Sequence, residues 1–311
     1  MNENDAKNFI ENESNKNNER KTASIGKITP RHEQIKSEVK ELASKIGYKP
    51  IPLETLPTAG KFYPNGTKIV IKAASNAEIR HWSSIDERDE SGIDDIMNIV
   101  INACVRISME GKGASPKDLK EIDRFFLMFA IRELTFIDGQ NKLYADIPGE
   151  SGGKRELTKE MIKYFKIPEE IEDFYDDDKK CFIFVNPQNP NDSFNFYLPP
   201  IGVTSFLKSY RIQKERARQT VDQDFLKFMP FIVEDWRGLN VEKIERLQTE
   251  SYNWSHWKIS MLSYAVGLIS NYVNPQIVIS NDGGVEDTYP LSFRGGIKAI
   301  FLIPDPLGRL K

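Results

Sequence analysis

The sequence feature that most constrains the fold is a helix that is apolar on every side for about two turns. In SPKDLKEIDRFFLMFAIRELTF, Ser115 and Pro116 form a typical helix start, and every residue from Phe125 to Ile131 is hydrophobic. Such a helix is stable only where other elements cover it all round. We therefore predict that this helix lies buried at the centre of the fold.

Other segments have the periodicity of amphipathic helices or of short strands. Helical patterns occur in SNAEIRHWSSI (capped by Ser75 or Asn76), SGIDDIMNIVINACVRI, ELTKEMIKYF, TSFLKSYRIQKERARQ, DQDFLKFMPFI, VEKIERLQ and WSHWKISMLSYAVGLISNY. In the last of these, Trp254, Trp257, Met261 and Tyr264 recur at helical spacing, which predicts that they face the core. Strand patterns occur in KLYADI, CFIFV, SFNFYLPP and PQIVIS.

These patterns predict a helix-rich α+β fold. Short hairpins or strands are expected at the start of each of two pseudo-similar helical lobes, with small β segments in the middle and at the C-terminus. The order of extended segment, Leu-Pro turn, helix and long apolar helix occurs in 56–136 and again in 194–273. Either two related lobes or chance among helix-rich segments explains this repetition.

The chain divides by composition into five regions. We predict a disordered polar arm (1–28), a capped amphipathic helix with a Pro-rich joint (29–55), an N-terminal lobe (56–136), an irregular strand and loop insertion (137–193) and a C-terminal lobe (194–311). The helix predicted after the arm has one apolar stripe, formed by Ile35, Val39, Leu42 and Ile46. That stripe covers either the body of the same chain or a neighbouring subunit.

The segment LPTAGKFYPNGTKIVIK allows two interpretations. A Gly-rich loop can bind phosphate, but Gly60 and Gly66 precede an alternating strand pattern and not a helix N-terminus. We therefore predict a hairpin-like entry segment with a turn at Pro64-Asn65-Gly66. Phe62 and Tyr63 are expected to be packing anchors.

Composition excludes several function classes. The net charge of −3 provides no general attraction to nucleic acid or to an anionic membrane. No apolar segment is long enough to cross a bilayer, and no secretory signal is visible. The two cysteines, Cys104 and Cys181, fit a reducing compartment and are expected to be buried.

No catalytic, cofactor-binding or metal-binding residues are predicted. The loop from Gly149 to Lys154 resembles a phosphate-binding loop, but it is one residue too short and continues with Arg155 where Ser or Thr is needed. The adjacent Asp176, Asp177 and Asp178 indicate a solvated loop, and His32, His81 and His256 are far apart in sequence. We expect a protein that is not an enzyme.

One helix carries a cluster of cations. In the segment 203–219, Lys208, Arg211 and Arg218 are predicted to share one face, whereas Lys214 lies off that face. Contact with an acidic partner protein is the preferred interpretation. Binding of nucleic acid by this basic helix is the alternative.

The chain from Leu56 onward resembles the T-even-type baseplate hub assembly proteins of contractile-tailed bacteriophages. The most specific block is LPTAGKFYPNGTKIVIKAASNAEI, and weaker blocks lie in IDDIMNIVINACVRI, LKEIDRFFLMFAIRELTF and FNFYLPPIGVTSFLK. The motif residues that carry the resemblance are Leu56, Pro57, Gly60, Tyr63, Pro64, Gly66, Glu78 and Arg132. Family members often have paired cysteines of the zinc-knuckle type in the middle segment, whereas ADIPGESGGKREL has none.

The resemblance implies a structural or assembly role in the baseplate hub, without catalysis and without a cofactor. The implied partners are other tail and baseplate proteins, such as hub, wedge or tube subunits, within an oligomeric assembly. The implied location is the host cytoplasm during assembly and, in the mature virion, the tail baseplate.

Overall fold

A computed structural model describes residues 47–85, 90–110, 113–136, 142–147, 154–273, 275–280, 286–293 and 296–301. All of them belong to a compact unit that spans Ala43–Lys311. The predicted arm and the stripe of Ile35, Val39, Leu42 and Ile46 lie outside the described residues.

Helices account for much of this unit. The α-helices are α1 (Asn76–Ser83), α2 (Glu90–Cys104), α3 (Glu121–Thr135), α4 (Glu169–Glu172), α5 (Ile201–Arg216), α6 (Gln223–Ile232), α7 (Val241–Ser251) and α8 (His256–Ser270). Short 3-10 helices lie at Leu53–Thr55, Pro116–Asp118, Lys159–Met161, Trp236–Gly238 and Ile297–Ile300. The predicted helix-rich α+β class is confirmed.

The strands form small antiparallel sheets. They are β1 (Lys49–Ile51), β2 (Lys68–Ile71), β3 (Val105–Ser108), β4 (Tyr144–Asp146), β5 (Lys154–Glu156), β6 (Ile162–Lys163), β7 (Tyr175–Asp176), β8 (Cys181–Asn186), β9 (Asn189–Phe196), β10 (Gln276–Ser280) and β11 (Glu286–Pro290). The strand orders are β1-β2-β3, β11-β10-β6, β4-β5 and β7-β8-β9. The register of the first sheet pairs Ile69 with both Ile51 and Ile107.

The largest core surrounds α2 and α3. Strands β2 and β3 and helix α1 cover these two helices, together with Phe293, Ile297, Ile300 and Phe301. The side chains of Leu127, Met128 and Ile131 in α3 are fully buried, which confirms the predicted central helix. Because residues near the C-terminus complete this core, it contains parts of both predicted lobes.

Three further cores are present among the described residues, and the smallest joins Ala145 and Ile147 to Ile277 and Ile279 of β10. Of the other two, the first is aromatic and joins β8 and β9 to α8, with Phe182, Phe184 and Phe196 at its centre. The second is formed by α5, α6 and α7. Cys104 and Cys181 are both fully buried, as predicted.

Several predicted elements differ in type or extent. ELTKEMIKYF is not a helix, because it begins at the last residue of β5 and continues through a 3-10 turn and β6, where Ile162 pairs with Ile277 of β10. The helical pattern in SGIDDIMNIVINACVRI ends at Cys104, and the last residues form β3. In both cases, strand pairing with a distant segment decides the local structure.

The entry segment is not a hairpin by itself. Its strand β2 pairs with β1, which comes from the Pro-rich joint, and with β3. The side chains of Ile69, Val70 and Ile71 are all buried, so both faces of this central strand are covered. The prediction for Phe62 and Tyr63 is confirmed, since both rings are almost fully buried.

Helix α8 exposes one of its predicted core residues. Trp254, Trp257 and Met261 pack against the aromatic core, but 47% of Tyr264 is exposed. The position of Tyr264 is off the buried stripe of Leu262, Ala265 and Ile269, so the prediction for Tyr264 was wrong. None of the described helices has the length and apolarity that a membrane crossing requires.

Two helical glycines provide a matched test of this packing. A Cβ atom on Gly202 of α5 would lie 2.4 Å from Cδ2 of Trp236, whereas one on Gly267 of α8 would meet nothing within 4 Å. We expect Gly202→Ala to lower the free energy of unfolding by about 1–3 kcal/mol. Gly267→Ala should raise it by about 0.5–1 kcal/mol, because alanine favours the helix. Urea unfolding of both variants measures the difference, and equal effects would contradict this packing.

Candidate functional site

Four ionised or polar side chains are buried at the start of α3, in the segment 118–124, which we call the charged turn. They are Asp118, Glu121, Asp123 and Arg124. Burying a charge is costly unless hydrogen bonds or an opposite charge compensate it. The partners of these side chains therefore identify the parts of the chain that must meet here.

Asp123 binds the entry segment. Its Oδ1 accepts from the backbone N–H of Thr58 at 3.0 Å, and its Oδ2 accepts from Thr58 Oγ1 and Tyr63 OH, both at 2.8 Å. Burial raises the pKa of Asp123 to about 6, although these bonds and Lys120 oppose the shift. All three hydrogen bonds join residues about sixty positions apart in the sequence, so Asp123 attaches the entry segment to α3.

Lys120 and Tyr63 extend this network. Tyr63 OH accepts from the Lys120 backbone N–H at 2.9 Å, and burial keeps the pKa of Tyr63 well above its usual value. The ammonium group of Lys120 donates to the carbonyl of Leu198 at 2.9 Å, and burial lowers the pKa of Lys120 to about 8. The backbones of Glu121 and Ile201 then bond to Pro199 and Leu119. The charged turn thus connects α3 to the start of α5.

Asp118 binds a third segment. Its carboxylate accepts from Trp236 Nε1 at 2.7 Å, from Arg237 Nη2 at 2.6 Å and from the Ser115 backbone N–H at 2.8 Å. Trp236 is the residue against which Gly202 packs. Asp118 therefore fixes the turn between α6 and α7 against the charged turn.

Arg124 balances the acidic side of the turn. It donates to Asp94 Oδ1 at 2.8 Å, to Asn98 Oδ1 at 3.1 Å and to Glu121 Oε1 at 3.3 Å. Burial raises the pKa of Glu121, and Arg124 opposes that shift. Because its partners lie on α2 and α3, Arg124 holds these two helices together.

The chemical groups of the charged turn are engaged in holding the fold together. Shifted pKa values are typical of active sites, but structural networks also produce them. Asp123 accepts three bonds and Lys120 donates to a main-chain carbonyl, so both are committed to internal partners. We conclude that this cluster is a structural junction.

The motif residues in the entry segment set the backbone path that brings Thr58 and Tyr63 to Asp123. Leu56 and Tyr63 are buried, and Gly60 adopts φ +73°, with its Cα so close to Leu53 that an added Cβ would lie 2.7 Å from Leu53 Cβ. Gly66, at φ +77°, follows the exposed Pro64 in the turn before β2. Pro57 is half-buried beside Leu56.

The two remaining motif residues stabilise helix ends. Glu78 forms a capping box with Ser75 and an ion pair with Lys72 at 2.7 Å. Those interactions lower the pKa of Glu78 even though burial opposes the change. The guanidinium of the buried Arg132 donates to the carbonyl of Ile300 and lies 5.1 Å from the centre of the Phe136 ring. Arg132 therefore attaches the end of α3 to the C-terminal 3-10 turn.

The basic helix differs from its prediction in one residue. Helix α5 ends at Arg216, and Arg218 follows it with a positive φ of 54°, so Arg218 does not share a helical face with Lys208 and Arg211. The helix is capped by Ala217, and Arg218 adopts a left-handed conformation that the sequence pattern did not indicate.

Three of the cations of α5 have acidic partners. Lys208 pairs with Asp95 at 3.1 Å, Arg211 with Glu215 at 3.7 Å and Lys214 with Glu245 at 2.8 Å. Lys208 and Arg211 line a groove of about 400 Å³ between α5 and α6. Such pairing reduces the positive potential that a polyanion requires.

A second groove lies beside the start of the entry segment, at Leu56 to Ala59, and we call it the motif groove. Its volume is about 820 Å³, and its wall includes the turn from Leu56 to Ala59, Phe126 of α3, the segment from Ile162 to Pro168 and Tyr272. The motif therefore borders an open surface on one side and the charged turn on the other.

The described part of the chain offers no group of three metal-binding side chains. Burial raises the pKa of Cys104 to about 12 and also raises that of Cys181, which makes both thiols poor nucleophiles. Strands β4 and β5 flank the loop from Gly149 to Gly153, and that loop itself lies outside the described residues.

Sequence reasoning missed the charged turn. Thr58, Asp118, Lys120, Glu121, Asp123 and Arg124 were not selected, because no ligand spacing links them. A signal was present, since DLKEIDR places three acids and two bases directly before a fully apolar helix. Charges that precede a buried helix so closely must themselves be buried or paired.

The chain matches no known family model, no curated protein and no solved structure. The likeness to baseplate hub assembly proteins thus depends on the quoted sequence blocks alone.

The raised pKa of Asp123 predicts a specific pH dependence. Between pH 3.8 and about 6, the folded state retains a proton that the unfolded state has lost, so stability falls as the pH rises. Relative to Asp123→Asn, the unchanged protein should lose about 3 kcal/mol of unfolding free energy across this window. Urea unfolding at several pH values measures this difference.

Asp178→Asn, which changes an exposed carboxylate, is the matched control. If the unfolding free energy of the unchanged protein rose relative to that of Asp123→Asn between pH 4 and 6, the assignment would be contradicted.

Proposed function

We propose that the chain is a structural or assembly protein of a contractile-tail baseplate hub and acts through protein–protein contacts without catalysis. The observation that carries the proposal is the block from Leu56 to Glu78, the most specific part of the resemblance. Thr58 and Tyr63 of this block bind Asp123 of α3, and Glu78 caps a helix, which suits an architectural role for the motif. The proposed partners are hub, wedge or tube subunits.

The surface offers features that suit protein contact. The motif groove is open, and 39% of Ile259, 47% of Tyr264 and 69% of Tyr252 is exposed. The apolar stripe predicted for 29–46 adds a second candidate contact. We place the protein in the host cytoplasm during assembly and in the tail baseplate afterwards.

The ion pairs of α5 favour protein contact over nucleic acid. A nucleic-acid surface needs unneutralised cations, and three cations of this helix face carboxylates. Nucleic-acid binding by the segment 203–219 therefore stays the weaker alternative.

Co-expression tests the proposal. The full chain is produced with each tube, hub and wedge protein encoded beside its gene, and complexes are detected by size-exclusion chromatography with light scattering. We expect a stable complex with at least one of them. If the chain stays monomeric with every such protein, the proposal fails.

A matched pair of variants tests the stripe as the contact. Val39→Glu with Leu42→Glu places two charges on the predicted apolar stripe, whereas Ser37→Glu with Ser44→Glu places them on the opposite face. We expect the first variant to weaken the complex at least tenfold and the second to leave it intact. A complex that survives both assigns the contact to another surface.

A further inference from the structure

The motif groove has a main-chain edge along one wall. Strand β6 lies at the edge of its sheet, with β10 as its one partner strand among the described residues. From Ile162, with φ −90° and ψ 118°, the chain continues without a turn to Pro168, with φ −61° and ψ 135°. The wall is therefore an extended segment that continues the line of an edge strand.

Three consecutive residues of this wall have backbone groups without partners in the described chain. No N–H or C=O of Phe165, Lys166 or Ile167 forms a hydrogen bond with another residue that the structure describes. Unpaired main-chain groups on an extended segment are a template for an additional strand. An added strand would satisfy them while lying along the groove.

The groove offers apolar surface for the side chains of such a strand. Phe126 packs edge-to-face on Tyr164, with ring centroids 5.5 Å apart, and Phe165 packs on Tyr272 at 5.9 Å. Pro57, which is half-buried, also lines the groove, whereas Leu56 and Phe165 are themselves buried. Every second side chain of an added strand would point toward one face, so alternate apolar residues fit this arrangement.

The charge of the groove is negative. Its lining contains Glu54, Glu160, Glu169 and Glu286, against Lys163 and Lys166. None of these four glutamates forms an ion pair with a described residue, in contrast to the paired cations of α5. All four are exposed, so their charges are available to a cationic partner.

We infer that the motif groove binds an extended segment of a partner protein in which apolar residues alternate with Lys or Arg. The segment adds to the free edge of the chain between β6 and Pro168, its apolar side chains fill the groove, and its cations meet the glutamates. This inference rests on the proposed function in that the chain acts through protein contacts, and it identifies the surface and the chemistry of one partner.

Synthetic peptides test the inference with the protein unchanged. The probes are ten-residue peptides in which Val, Ile or Leu alternates with Lys, and a matched set with Glu in place of Lys. Fluorescence anisotropy with the full chain should show binding of the Lys set that is at least tenfold tighter than that of the Glu set. No measurable binding of any Lys peptide would overturn the inference.

A scan of backbone N-methyl groups along the best peptide tests strand addition. Successive N–H groups of a strand point alternately to its two edges, so only every second N–H of the peptide would bond to the protein. Methylation should therefore abolish binding at every second position only. Equal effects at all positions would overturn strand addition. This test does not depend on the folding of any variant.

Charge reversal locates the site. Glu160→Lys with Glu286→Lys should reverse the preference for Lys over Glu peptides, whereas Glu234→Lys, an exposed glutamate outside the groove, should not. An unchanged preference in the double variant would overturn the inference. The inference would also be overturned if the chain self-associated and peptide displaced that association, because a second copy of the chain would then occupy the groove.

The results separate this inference from the proposed function. A chain that enters tail assemblies but binds no peptide overturns the groove assignment alone. A chain that binds peptides with period-two sensitivity but joins no tail protein overturns the baseplate role alone.

Discussion

The burial of charge at the start of α3 is the constraint on which the rest of the structure depends. A central helix without a polar face leaves its first turn deep in the protein, and Asp118, Asp123 and Arg124 are buried there. Each of them needs partners, because an uncompensated buried charge costs several kcal/mol, of the order of the whole stability of a domain. Three distant parts of the chain supply these partners: Thr58 and Tyr63 bind Asp123, Trp236 and Arg237 bind Asp118, and Asp94 and Asn98 bind Arg124.

This requirement explains the unusual composition of the entry segment. Tyr63 must place its hydroxyl between Asp123 and the Lys120 backbone, and Thr58 must present both its N–H and its Oγ1 to one carboxylate. The chain achieves this with positive φ at Ala59 and Gly60, where Gly60 also approaches Leu53 closely. Glycine at 60 is thus required by geometry, and no bound phosphate is needed to explain it.

Sequence predicts the elements whose signals are local and misses those decided by distant partners. The capping box of Ser75 and Glu78, the strand from Lys68 to Ile71 and the buried helix α3 all follow from neighbouring residues. The strand at Ile162 exists because Ile277 pairs with it, and Asp123 finds Tyr63 sixty positions away. Neither contact leaves a periodic trace in one sequence. The fold class was accessible for that reason, whereas the charged turn and the motif groove were not.

The two grooves differ in how many of their charged side chains have partners of opposite charge. In the groove between α5 and α6, Lys208 and Arg211 have carboxylate partners, so little charge remains for a ligand. In the motif groove, the four glutamates form no ion pair with a residue that the structure describes. The turn from Leu56 to Ala59 that walls this groove is held by Asp123. A turn held in one conformation by buried hydrogen bonds lowers the entropic cost of ordering a bound strand, so the junction that stabilises the fold also prepares the surface proposed to receive a partner.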